Sequence, residues 1–79
     1  MTLKELAGVC EAAYAMHNTE EILGIYVSNH HDFPEIHIRE EEYIKHFGNT
    51  LPEPHSEAHD KMRTTWSGAE VFCLIDKEV

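Results

Sequence analysis

Residues 60–76, DKMRTTW-SG-AEVFCLID, hold two extended runs separated by Ser67-Gly68. Their β-branched and aromatic side chains favour pleated strands, and a two-residue Ser-Gly link suits a tight hairpin turn. Pairing Trp66 with Ala69 sets Thr64 opposite Val71 and Met62 opposite Cys73. These pairs share one sheet face with Ile75, and Phe72 and Leu74 fall on the other. A strand that is apolar on both faces is central in its sheet or part of an interface.

Upstream of this hairpin, residues 49–57 carry Pro52 and Pro54 and read as a loop that ends in one helical turn from Ser56. Residues 40–47 (EEEYIKHF) change to helical spacing. Tyr43, Ile44 and Phe47 form the apolar side, three glutamates stand at the positive end of the helix dipole, and Gly48 is a stop. Residues 34–39 (PEIHIR) alternate, with Ile36 and Ile38 pointing one way and Glu35, His37 and Arg39 the other. They are expected to hairpin with residues 22–27 (ILGIYV) through the turn-rich residues 28–32 (SNHHD). Gly24 inside that strand marks a bulge or a close approach of a helix.

At the start of the chain, Thr2-x-x-Glu5 is a capping box that opens a helix over residues 3–17. Leu3, Leu6, Ala7, Cys10, Ala13, Tyr14 and His17 recur at three- and four-residue spacing on one face, and Asn18 follows as a left-handed stop. A thinner strip, Val9, Ala12 and Met16, is read either as further contact with a sheet or as a partner-binding edge. The expected fold is α+β in the order α-β-β-α-β-β. It is one domain, residues 1–79, with a four-stranded, mainly antiparallel sheet, the N-terminal helix on one face and a second short helix.

Six basic residues face fifteen acidic ones, a formal charge of −9. Binding to DNA, RNA or an anionic membrane needs a Lys/Arg surface, so the expected partner is a protein, with a basic surface, and neither nucleic acid nor membrane. Glu35, Glu40, Glu41, Glu42, Glu53, Glu57 and Asp60 crowd the middle of the chain. Gathered on one face, they would occupy a basic groove as a nucleic-acid mimic; spread out, they are a solvated surface. Trp66 beside the turn either caps the core or anchors a partner. The small size also leaves room for a homodimer, through the Phe72/Leu74 face or the Val9/Met16 strip.

Seven dispersed histidines are an unusual number for 79 residues. Protonating all seven would move the formal charge from −9 to −2, mostly near pH ~6.5. His55 and His59 are four apart, and one helical turn would align them for zinc, nickel or copper, with Glu57 and Asp60 as oxygen ligands. His30 and His31, beside Asp32, form a second cluster. Both groups also read as exposed loop histidines, the more ordinary case, and no cofactor is expected.

Cys10 and Cys73 lie in apolar stretches outside any Cys-x-x-Cys pair, as small core residues do. His17 is two helical turns from Cys10, too far to act on its thiol, and no nucleophile elbow or phosphate-binding glycine loop occurs. A non-enzymatic protein is therefore expected. No basic-then-apolar leader pattern opens the chain, and no apolar run approaches the ~20 residues of a membrane span, so the expected compartment is the cytoplasm.

Residues 36–39 (IHIR), the helix over 41–47 and residues 66–74 (WSGAEVFCL) together resemble a pattern in small uncharacterised accessory proteins of phages and prophages. There, an I-H-I/V strand precedes a short helix ending in Phe, and a terminal hairpin ends in an aromatic-aliphatic strand. The resemblance covers about the last two-thirds of the chain and implies an accessory protein of a mobile element. That class includes small acidic inhibitors of host defence, anti-CRISPR proteins among them.

Overall fold

The computed structural model describes residues 2–16, 21–27 and 33–77. In chain order they form α1 (Leu3–Met16), β1 (Ile22–Tyr26), β2 (Glu35–Ile38), α2 (Glu40–Phe47), β3 (Glu53–Pro54), β4 (His59–Trp66) and β5 (Ala69–Asp76). The strands make one five-stranded sheet in the order β1-β2-β5-β4-β3. The α+β class therefore stands, but the sheet has five strands rather than four, and it is mixed.

The terminal hairpin has the register read from its sequence: Trp66 pairs with Ala69, Thr64 with Val71 and Met62 with Cys73. Ser67 and Gly68 both take positive φ, 50° and 77°, the combination that joins two right-twisted strands in two residues. β1 and β2 are antiparallel, with a register shift between Ile22 and Gly24 that makes Leu23 the extra residue of a bulge. Tyr26 lies back over Gly24, where a side chain would collide with its ring.

Two features of the sheet were not expected. β2 pairs with β5 in parallel, Ile36 beside Val71, so the hairpins are joined through the middle of the sheet. Residues 53–54, read as loop, pair antiparallel with β4 as Glu53 with Lys61 and Pro54 with Asp60. Proline is tolerated there because β3 is an edge strand and needs no outward N–H. The helical turn expected from Ser56 is also absent. The N–H groups of His55 and Ser56 both donate to the His59 carbonyl oxygen, at 3.2 and 3.0 Å, and close a hairpin loop instead.

The core lies on one face of the sheet, where Ile36, Ile38, Met62, Val71 and Cys73 meet Tyr43 of α2 and Val9 and Ala13 of α1. α1 opens on the expected capping box: the Glu5 N–H donates to Thr2 Oγ1 at 3.1 Å, and the Thr2 N–H reaches back to Glu5 Oε1. Its docked arc draws on both expected strips: Ala13, with Leu6 and Cys10 half-buried, from the first and Val9 from the thinner one. Val9 and Ala13 are buried with Ala12 and Met16 half-buried beside them, while Leu3, Ala7 and Tyr14 are exposed. Alanines allow the helix backbone to come close to the sheet, and the Leu3–Tyr14 side is left to solvent. α2 matches its expected span. Tyr43 is fully buried, its hydroxyl is 2.9 Å from Thr50 Oγ1, and Gly48 ends the helix at φ 74°.

Candidate functional site

Among the described residues, no helix lies on the second face of the sheet, and alternation along the strands puts a row of polar and aromatic side chains there. His37 of β2 stacks on Phe72 of β5, centroids 4.7 Å apart and planes 8° from parallel. Lys61 of β4 places its Nζ 4.4 Å from the centroid of the same Phe72 ring. One aromatic ring is thus covered by an imidazole from one neighbouring strand and an ammonium from the other, a stacking and cation–π arrangement.

Glu70 sits beneath this layer, 9% exposed. Its carboxylate accepts from Lys61 Nζ and from Arg63 Nη1, both at 3.1 Å, and Arg63 Nε also pairs with Glu53 of β3 at 2.9 Å. The two cations of β4 are balanced by two carboxylates, Glu70 of β5 and Glu53 of β3. Burial is the largest cause holding the His37 imidazole below its ordinary pKa, and electrostatic repulsion from the directions of His55 and Lys61 adds to it. The stacked ring is thereby biased toward its neutral form.

Beside this layer, an open cleft of about 280 Å³ lies where β1, β2 and β5 meet the start of α2. Leu23, Leu74 and His37 supply its apolar and aromatic wall, and Arg39, Glu40 and Glu41 its charged rim. Two carboxylates against one guanidinium leave that rim net negative.

The seven carboxylates singled out in the sequence are not brought into one continuous face. Glu40, Glu41 and Glu57 are exposed. Glu35 is half-buried on the helix-free face, in register with Glu70. Glu53 is engaged by Arg63, and Asp60 lies 3.7 Å from Lys77 Nζ. Glu42 is a correction to the expected surface set: it is buried, 2.7 Å from His46 Nε2 one helical turn away. Position i+4 on α2 makes that bond available, and the amphipathic pattern of the helix alone does not reveal it.

Trp66 is half-buried and packs against the core. No helical turn aligns His55 and His59: the chain between them is a hairpin loop, in which the His55 N–H donates to the His59 carbonyl oxygen at 3.2 Å. His59 Nε2 instead lies 3.0 Å from Asp76 Oδ1 across the β4–β5 ladder. His30 and His31 lie outside the described residues, as do His17 and Asn18. Among the described residues, no group of three or more His, Cys, Asp and Glu side chains is arranged to hold a metal ion. Cys73 is fully buried, and burial, with the nearby Glu40 charge second, pushes its thiol up to about 11. A thiol with that pKa is protonated at neutral pH.

The sequence reading missed Lys61, Arg63, His37 and Glu70 as a group. The signal was present: period-two alternation puts Lys61 and Arg63 on one side of β4 and Glu70 and Phe72 on the same side of β5. Placing His37 beside them required the parallel β2–β5 pairing, which no local pattern announces. Among the described residues, no helix is long and apolar enough to cross a membrane. No protein-family model, curated protein or solved structure matches the chain.

Proposed function

We propose that this chain is a non-enzymatic protein-binding module whose partner presents a basic surface. The observation that carries this reading is how the charge is divided. Lys61 and Arg63 are drawn into pairs with Glu70 and Glu53, and Lys77 lies against Asp60, while Glu40 and Glu41 stand exposed at the rim of an open cleft. Internal pairing engages Lys61, Arg63 and Lys77, cations that are already scarce, and leaves Glu40, Glu41 and Glu57 as exposed carboxylates. A lysine or arginine of the partner can lay its aliphatic stem against Leu23 and Leu74 and bring its charge to Glu40 and Glu41. The resemblance to small phage and prophage accessory proteins supports an inhibitory role, in which the module occupies a functional basic site of a host protein.

The experiment is capture of proteins on the immobilised chain at about 0.05 M and then about 0.5 M salt, with Glu40→Lys/Glu41→Lys alongside. Basic proteins are expected to be retained at low salt, released at high salt and lost from the double variant. Retention indifferent to both salt and substitution would overturn the reading.

A further inference from the structure

The reading above seats a basic side chain of the partner in the cleft, and His37 is part of that cleft's wall, beside Leu23 and Leu74. The sheet holds its ring in place. His37 and Phe72 are register partners across the β2–β5 seam, and the imidazole lies flat on the phenyl ring, 8° from parallel. On the β1 side its register partner is Gly24, with the Tyr26 ring folded over it. An unstacked surface histidine can turn its charge outward into water, but the stack keeps a charge on this imidazole at the cleft wall.

The groups around the ring weigh against such a charge. β4 brings Lys61, whose ammonium lies over the same Phe72 ring, and the loop between β3 and β4 brings His55. β5 brings Glu70, which is already shared by Lys61 and Arg63. On β2 itself, Glu35 and Arg39 stand two residues to either side and are of opposite sign. β1 brings no acid or base beyond the Tyr26 phenol. The start of α2 brings Glu40 and Glu41, the carboxylates that the partner's cation engages in the reading above. Burial first, then repulsion from the directions of His55 and Lys61, hold His37 below its ordinary pKa. The ring is therefore mostly neutral at pH 7 and charges with a midpoint below pH ~6.5. We propose that His37 is a pH-sensitive gate on this cleft: a positive ring opposes the incoming cation, so mild acid loosens the partner. This rests on the protein-binding reading and adds how that site is regulated. The effect is reciprocal, so a cation held in the cleft lowers the His37 midpoint by the same factor by which protonation weakens its binding.

The test uses the full chain and a fluorescent tetra-arginine peptide with blocked termini, read by anisotropy at about 0.05 M salt and at about pH 7.5 and 5.5. Arginine keeps its charge across this range, so changes in affinity come from the protein. The other histidines titrate as well, so the quantity compared is each chain's ratio of affinities at the two pH values. That ratio is expected to be about threefold larger in the unmodified chain than in His37→Gln. An NMR titration of the unmodified chain needs no variant: saturating peptide is expected to lower the His37 midpoint by about half a pH unit, the same threefold factor. Equal ratios in the two folded chains, or a His37 midpoint that the bound peptide leaves in place, overturns the gate. If binding at pH 7.5 is still lost in Glu40→Lys/Glu41→Lys, the cleft reading stands and only its regulation falls. Absence of binding at pH 7.5 overturns both.

Discussion

The two faces of the sheet reach similar burial by different means. On the helix-covered face, Ile36, Ile38, Val71 and Cys73 are fully buried beneath α1 and α2. On the other, Phe72 is 6% exposed and Glu70 9%, and among the described residues side chains of the same sheet lie over them. His37 and Lys61 lie over Phe72, and Lys61 and Arg63 close over Glu70. The comparison teaches that a 79-residue chain without a second helical layer can dry one aromatic ring by folding long polar side chains onto it. Such a cover is thin, and water can replace it.

That difference sets the order of the mutational effects. Ile36→Ala leaves a cavity held open by a sheet and two helices and is expected to cost about 3 kcal/mol. Phe72→Ala removes a larger side chain, but its site can refill with water, and the expected loss is about 2 kcal/mol. Urea unfolding of the two variants decides the matter: if Phe72→Ala costs more than Ile36→Ala, the helix-free face is as solid as the core. Glu70→Gln removes the anion shared by Lys61 and Arg63 and is expected to cost about 1 kcal/mol, read by the same unfolding curves. Glu53→Gln, at the half-exposed end of the network, is expected to cost less, because solvent screens that pair. Equal losses would mean that Glu70 gains nothing from its burial.

The smallest effect is the pH dependence of the His37 stack. Its folded-state pKa lies below the ordinary 6.5, so near and below that pH the unfolded chain binds protons that the folded chain does not. This contribution is complete above pH ~6.5 and is lost as pH falls through the folded-state value. Between about pH 7.5 and 5.5 the unfolding midpoint is expected to fall, and to fall less in His37→Gln. Equal slopes would place the acid sensitivity elsewhere.

Much of the scaffold was legible in the residues. Thr2 and Glu5 opened α1, Tyr43 and Gly48 located α2, and Ser67-Gly68 set the register of the last hairpin, because caps and turns act over four residues or fewer. What escaped was long-range or masked by local signals. Pro52 and Pro54 read as breakers, although an edge strand accepts them. The face of α1 was legible only in part: Ala13 is buried as read, but Leu3 and Tyr14, placed on the same side, are exposed, and Val9 of the thinner strip is buried instead. The carboxylates could be counted but not placed: whether Glu42 faces solvent or His46, and whether Glu53 is open or held by Arg63, depends on neighbours that only the fold supplies.

The parallel seam between β2 and β5 also bears on how the chain comes together. Glu35 meets Glu70, 35 positions further on, so the loop entropy of everything between them is lost before the first seam contact forms. The β4–β5 hairpin closes over two turn residues and carries no such delay. Contact order therefore favours the β4–β5 hairpin over the β2–β5 seam as the earlier contact. During synthesis β1 and β2 emerge well before β5, so the β2 edge that the seam closes stays open until residues 69–76 have been made.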